Sequence, residues 1–310
     1  MKKLCILFLC LFTCMLCGCA GRKGREDGKL RVVTTIFAPY DFVREIAKDE
    51  VSVSMLLRPG EESHSFDPSP QDIIDINECD LFIYNGGEND EWIEDILDSV
   101  DGGVQTLRMM ECIEDLYIEE ETTGAGHGHS HDEHEEYDEH VWASPANAIR
   151  IVDAIADRLS ELDPSHSDIY DKNRREYTDR LSDICSEIED IATHSKRKLI
   201  VFGDRFPLRY FVEEFGLDYY AAFPGCAEDT ETSPQVLVKL IDIVKTNDIP
   251  VVFKTELSNG NIAETISEAT GAKVRTFYTC HNISRDDYEN KTGYIDMMSS
   301  NAELLREALN

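Results

Sequence analysis

Leu30-Arg31-Val32-Val33-Thr34-Thr35-Ile36, then a helical stretch over 40–48, then Val51 to Leu57: this opening decides the fold. The first run is apolar and β-branched, as a buried strand requires. The second has helical spacing, and the third is a strand again. The alternation continues with a helix predicted from Ser69 through Glu78, a strand over Leu81–Asn85, a helix over Trp92–Val100 and a strand over Val104–Leu107. A helix over Pro145–Leu162 closes this part. Short β-branched runs alternating with amphipathic helices predict α/β units around a largely parallel sheet. A second lobe repeats the scheme, with strands over 198–202, 219–223, 250–253 and 272–278 and helices over 207–214, 233–246, 261–269 and 293–309. Only the architecture repeats, not the residues.

Between these parts lies the longest helical pattern. Ile169, Tyr177, Leu181, Ile184, Ile188 and Ile191 recur at helical steps, with Asn173 as an interruption, and Asp163-Pro164 supplies a start. The chain then divides into a signal segment (1–18), a tether (19–29), a first lobe (30–162), a connecting helix (163–195) and a second lobe (196–310). The expected class is α/β, with two parallel-sheet lobes joined by a long connecting helix that limits hinge bending.

The N-terminus points to the destination. Met1-Lys2-Lys3 is basic, and Leu4 to Leu16 is apolar but too short for a stable membrane anchor. Leu16-Cys17-Gly18-Cys19 resembles the bacterial lipoprotein signal, in which the cysteine, here Cys19, becomes the lipidated first residue. An ordinary secretory signal is the alternative. The expected location is extracytoplasmic, lipid-anchored to the outer face of the cytoplasmic membrane. Residues 20–29 are polar and Gly-rich, as a tether needs to be.

The chain carries a formal charge of -32, and removing 1–18 takes away Lys2 and Lys3 and no acid, leaving -34. Nucleic acid binding needs basic patches to neutralise phosphates, so it is excluded. A strongly acidic surface instead concentrates cations. Past Cys19, five cysteines remain: Cys79, Cys112, Cys185, Cys226 and Cys280. They are widely spaced, odd in number and without a Cys-x-x-Cys, so neither a zinc ribbon nor a thioredoxin-like site is indicated.

One acidic stretch, 119–139, holds nine carboxylates, no Lys or Arg, and four histidines: His127, His129, His131 and His134. Imidazole is the commonest metal ligand, and a His-rich tract without apolar periodicity reads as a solvated loop that collects divalent ions weakly. Elsewhere, His64, His140, Asp204, Glu256 and His281 each follow a predicted strand or precede a helix. In open α/β sheets ligands bind beyond the carboxyl ends of strands. These five donors, divided between two lobes, could meet in one cleft.

The motifs Pro59-Gly-x-x-x-His64-Ser-Phe-Asp-Pro-Ser-Pro70, Asp138-Glu-His140-Val-Trp-Ala-Ser-Pro145, Val252-Phe-Lys-Thr-Glu256 and Tyr294-Ile-Asp-Met-Met, with Asn301 near the end and the His-rich loop between the first two, carry a family resemblance. The chain resembles the zinc- and manganese-binding solute receptors of bacterial ABC importers over its whole mature length. The resemblance implies two lobes, a connecting helix, one metal ion between the lobes, and delivery to a permease and its ATPase rather than chemistry. It implies a monomer held to the membrane through its lipid.

His64 and His140 match two of the family's ligands. The third aligns with Gly203, which has no donor, making Asp204 the substitute one position along. The fourth falls in Phe277-Tyr-Thr-Cys280-His281-Asn282, where His281 is the replacement. Arg205 beside a cation needs an acid such as Glu256 or Glu228. Three imidazoles and a carboxylate suit Zn2+, whereas loss of His281 from the set would suit Mn2+. A surface metal buffer or adhesin remains open as an alternative. A zinc hydrolase does not fit, because no His-Glu-x-x-His is present.

Overall fold

The computed structural model describes residues 28–61, 66–99, 103–118, 137–225 and 232–310. The expected alternation is realised as β1 (Leu30–Thr34), α1 (Phe37–Ala47), β2 (Val51–Met55), α2 (Pro70–Glu78), β3 (Leu81–Tyr84), α3 (Glu91–Ser99) and β4 (Thr106–Arg108). Then come α4 (Pro145–Leu162) and α5 (Ser167–His194). The second lobe follows as β5 (Leu199–Phe206), α6 (Arg209–Phe215), β6 (Asp218–Pro224), α7 (Pro234–Thr246), β7 (Val251–Thr255), α8 (Asn261–Thr270), β8 (Lys273–Phe277), α9 (Arg285–Glu289) and α10 (Tyr294–Leu309). Two four-stranded sheets result, ordered β2-β1-β3-β4 and β6-β5-β7-β8. Every strand pair in them is parallel. Burial on both faces explains why β3 reads as an unbroken Leu-Phe-Ile-Tyr run.

Helix starts follow local chemistry. Ser69 accepts the Asp72 N–H while the Asp72 carboxylate accepts the Ser69 N–H, and Pro70 fills the first turn. Ser144–Pro145 and Ser233–Pro234 start α4 and α7 in the same way. Helix α1 begins three residues before its predicted start, because Phe37 and Ala38 extend its buried face. Strand β5 runs on to Phe206 past a register shift between Phe202 and Arg205. The short α9, capped by Ser284, has too few residues to show a period in sequence.

The 28-residue α5 is roughly 40 Å long at about 1.5 Å per residue. Its buried face differs from the expected one at the start: Tyr170 is buried, whereas Ile169 is 38% exposed. The Asn173 interruption is a tie, since its amide donates to the Ile46 carbonyl at the end of α1 (2.8 Å). Tyr177, Leu181, Ile184, Ile188 and Ile191 then join a single hydrophobic core that contains Val32 and Ile83 of the first sheet and Phe202, Phe253 and Phe277 of the second. Truncating a fully buried Leu181 or Ile188 to alanine would cost about 2–5 kcal/mol. Smaller clusters sit on the outer side of each sheet. No disulfide joins Cys79, Cys112, Cys185 and Cys280 among the described residues, and Cys226 lies outside them. No helix among the described residues is long and apolar enough to cross a membrane.

Candidate metal centre

In both sheets the chain changes its direction of travel between two neighbouring strands, β1 and β3 in one and β5 and β7 in the other. A crevice opens at the carboxyl ends of such strands. Each crevice holds a cavity. The first, of about 90 Å³, is lined by Thr35 and Ile36 after β1, Asn85 after β3, and Asp90, Glu139 and His140. The second, of about 300 Å³, is lined by Asp204 and Arg205 of β5, Thr255 and Glu256 at the end of β7, and Asn259 and Asn261. His281 lines both.

His140 is 1% exposed, and its ring is set by Asp138. The Asp138 carboxylate lies 3.1 Å from His140 Nδ1 and accepts the His140 backbone N–H at 2.9 Å. A carboxylate on Nδ1 fixes the tautomer and presents Nε2 as the donor, the usual support for a metal-ligating histidine. The second lobe holds this loop from behind. Tyr210 donates its hydroxyl to the Asp138 carbonyl, Tyr294 donates to the Trp142 carbonyl, and the Trp142 indole donates to the Thr279 carbonyl. Glu214 accepts from Ser144 and from the Ala146 N–H, and burial raises its pKa.

His281 arrives on a loop that leaves β8 and crosses to the first lobe. Its carbonyl accepts the Phe37 N–H, the Ile283 carbonyl accepts the Gly60 N–H, and the Asn282 amide donates to the carbonyls of Arg58 and Glu61. The His140 and His281 rings stand 5.7 Å apart, centroid to centroid, at 74°. Two imidazoles on one tetrahedral zinc, with bonds of about 2.0–2.1 Å, have centroids roughly 5 Å apart. Trp142 lies edge-on to both rings, at 5.3 and 4.9 Å. An added Cβ on Gly225 would come 3.1 Å from His140 Cε1, so a glycine there lets the chain pass close to the imidazole.

The structure gives the other two expected donors different work. Asp204 accepts the Arg205 N–H on one oxygen and both the N–H and hydroxyl of Thr255 on the other. It staples β5 to β7. Glu256 accepts the N–H and hydroxyl of Thr279 and the Cys280 N–H. It shapes the turn that presents His281, in which Cys280 takes a φ of 57°. Burial pushes the Glu256 carboxyl up to about 7, against the lowering effect of those hydrogen bonds. The Cys280 thiol, 3.6 Å from the Met297 sulfur, is pushed well above the usual thiol range by burial and then by Glu256. Gly203 is no vacancy. A Cβ there would sit 2.5 Å from the Ala263 Cα, because α8 packs directly on β5 at this point.

Among the described residues, no three His, Cys, Asp or Glu side chains converge as a metal cluster. The pair His140–His281 does converge. His64 lies outside the described residues, as do His127, His129, His131, His134, Cys19 and Glu228. An antiparallel bridge between Ile118 and Tyr137 marks where the His-rich stretch leaves and re-enters the fold, just before Asp138.

Sequence reasoning missed the polar wall of the first cavity. Thr35 Oγ1 and Asn85 Oδ1 are buried and have no hydrogen-bond partner among the described residues. Asp90 accepts the N–H groups of Asn85 and Gly86, and burial pushes its carboxyl up to about 6. The signal was available, since Thr35 and Asn85 are the residues that directly follow β1 and β3.

Comparison with known proteins agrees with this architecture. A family model described as zinc-uptake complex component A, periplasmic, matches residues 32–308. The zinc-binding lipoprotein AdcA of Streptococcus pneumoniae is 29% identical over 99% of this chain, which spans 61% of the AdcA length. The high-affinity zinc uptake system protein ZnuA of Bacillus subtilis is also 29% identical, over 98% of this chain and 96% of its own. The crystal structure of the metal-dependent lipoprotein YcdH from Bacillus subtilis superposes with a TM-score of 0.76 at 28% identity, covering 91% of this chain and 100% of that one.

Proposed function

The chain belongs to the family of zinc-uptake complex component A, and from that membership we propose that it captures Zn2+ between its lobes and hands it to a membrane permease. The family is one of receptors, not of enzymes. The observation that carries the reading is the His140–His281 pair, one imidazole from each side of the seam, 5.7 Å apart. His64 completes an all-imidazole set. Glu61, three residues before it in sequence, accepts from the amide of Asn282, the neighbour of His281. Asp204 and Glu256 act as braces of the second-lobe wall.

An imidazole-rich set favours zinc over manganese, which suits carboxylate and carbonyl oxygens. Mn2+ is the alternative cargo if His281 turns away. The release partner is an ABC permease with its ATPase. The protein acts as a monomer outside the cytoplasm, held to the outer face of the membrane through lipid on Cys19. The 119–136 stretch gathers further ions weakly, because ordering a Gly-rich loop costs conformational entropy.

Calorimetry of metal-stripped protein with zinc and manganese, with elemental analysis of the protein as purified, tests this. One tight zinc per chain is expected, plus weak equivalents that vanish when 119–136 is deleted. Loss of the tight site in that deletion would place the centre in the loop. Manganese binding tighter than zinc would reverse the cargo.

A further inference from the structure

Three rings meet at the seam between the lobes. The centroids of His140 and Trp142 are 5.3 Å apart, those of Trp142 and His281 4.9 Å, and those of the two imidazoles 5.7 Å, so the rings form a nearly equilateral triangle. All three pairs are edge-on, an arrangement aromatic rings favour. Each imidazole therefore packs against the same indole, and its position is set relative to one shared body.

That body is fixed to both histidine-bearing segments. Trp142 is 1% exposed and follows His140 by two residues. Its indole N–H donates to the carbonyl of Thr279, two residues before His281 (3.1 Å). Its own carbonyl accepts the Tyr294 hydroxyl (2.7 Å). Both anchors are held in turn. The Tyr294 N–H, at the start of α10, donates to the Asp41 carboxylate of α1 (2.8 Å), and Thr279 gives its N–H and hydroxyl to Glu256. A shift of one imidazole relative to the other has to break the indole contacts or one of these hydrogen bonds.

The spacing of two donors bears on which ion they suit. A tetrahedral ion such as zinc sets neighbouring donors about 109° apart, whereas an octahedral ion sets them about 90° apart, which draws their rings together. A pair held apart at 5.7 Å opposes the narrower angle.

We propose that Trp142 is a positioning and specificity-determining residue, which holds the His140 and His281 imidazoles at the wide separation of a four-coordinate ion and so favours zinc over a six-coordinate ion such as manganese. The proposal rests on the zinc reading above and deepens it.

The test compares full-length wild type, Trp142→Phe and Tyr294→Phe, each stripped of metal and titrated separately with zinc, manganese and cobalt. Trp142→Phe keeps an aromatic ring but loses the indole N–H. Tyr294→Phe removes only the hydroxyl on the Trp142 carbonyl. In Trp142→Phe zinc affinity should fall about tenfold to a hundredfold, as for a residue that orients a metal ligand, while manganese affinity stays within about threefold. Tyr294→Phe should lower the zinc-to-manganese affinity ratio by at least about threefold. Cobalt reports geometry directly: the intense visible bands of a tetrahedral ion, expected in wild type, should weaken in Trp142→Phe toward the faint bands of a six-coordinate one. Unfolding midpoints establish that each variant is folded, and Tyr294→Phe decides the matter if Trp142→Phe is not. An unchanged zinc-to-manganese ratio and cobalt spectrum in the folded variants overturns the proposal. So does an equal loss of both metals with the cobalt spectrum preserved, which would make Trp142 a core residue only. In both cases the wild type still binds zinc, and the receptor reading stands. Wild type without tight zinc removes the receptor reading, and this proposal with it.

Discussion

The two crevices are topologically equivalent, yet they are furnished in opposite ways. The first, beside β1 and β3, is small, walled by Trp92 and Trp142, and contains an imidazole oriented by its own carboxylate. The second, beside β5 and β7, is about three times larger, and its acids are occupied with bracing backbone. In the first lobe the candidate donor, His140, comes in on the segment that leads into α4. In the second, the β5 position at Gly203 is closed by helix packing, and the candidate donor, His281, arrives from the β8 loop. Equivalent topology therefore fixes where a site can be, while local packing decides which residue serves it.

The largest expected effect breaks the comparison outright. His140→Ala and His281→Ala should each lower zinc affinity by more than about a hundredfold in calorimetry, since a lost ligand exceeds the tenfold to hundredfold typical of a supporting residue. Asp204→Ala should leave affinity within a few-fold while costing about 1–3 kcal/mol of stability, because buried N–H groups lose their acceptor. If Asp204→Ala loses zinc and His281→Ala does not, the second-lobe donor belongs to β5 and the assignment reverses.

The next effect sharpens the first-lobe side. Asp138→Asn keeps the shape but weakens the hold on His140 Nδ1, and zinc affinity should fall by about tenfold to a hundredfold. An unchanged affinity would show that the ring needs no orienting partner.

Gly203→Ala probes the other side, and here the readout is stability. Its methyl must displace the Ala263 backbone, so a loss of about 1–3 kcal/mol is expected, measured by denaturant unfolding. A neutral result would mean that α8 can retreat and that a donor at 203 is sterically possible.

The smallest effect concerns the join between lobes. Burial raises the Glu214 carboxyl above its ordinary value of 4.5. A carboxyl raised by folding favours its protonated form in the native state, so its contribution is full below about pH 4.5 and is lost as pH rises through the folded value. Glu214→Gln should therefore reduce the decline in stability from pH 4.5 toward neutrality, and identical slopes in the two proteins would contradict this account.

Much of the fold was legible because parallel, doubly covered strands write themselves as unbroken apolar runs. Val32–Val33, Leu81–Tyr84 and Val251–Phe253 needed no tertiary information. The exposure of Ile169 and the burial of Tyr170 did, because helix phase at a first turn is set by the neighbours it meets, here Asp163. At the site, His281 could be placed by the rule that ligands gather beyond strand ends, and His140 by its position just before a helix in the Asp138–Pro145 motif. The braces could not. Asp204 and Glu256 satisfy the same rule, and only their hydrogen bonds show what they hold. Gly203 looked like a gap because a missing side chain in sequence says nothing of the helix that fills its place.

The shared core has a thermodynamic consequence. Val32, Tyr177, Leu181, Phe202 and Phe277 belong to one apolar cluster, so the two sheets share their main interior, and only a smaller cluster on the outer side belongs to each alone. Heating should give a single calorimetric transition, with van't Hoff and calorimetric enthalpies in agreement. An ion held at the seam then stabilises the entire chain, by about 4 kcal/mol at a free concentration a thousand times its dissociation constant. A local occupancy thereby becomes a property of the whole molecule, readable in its melting temperature far from the proposed site.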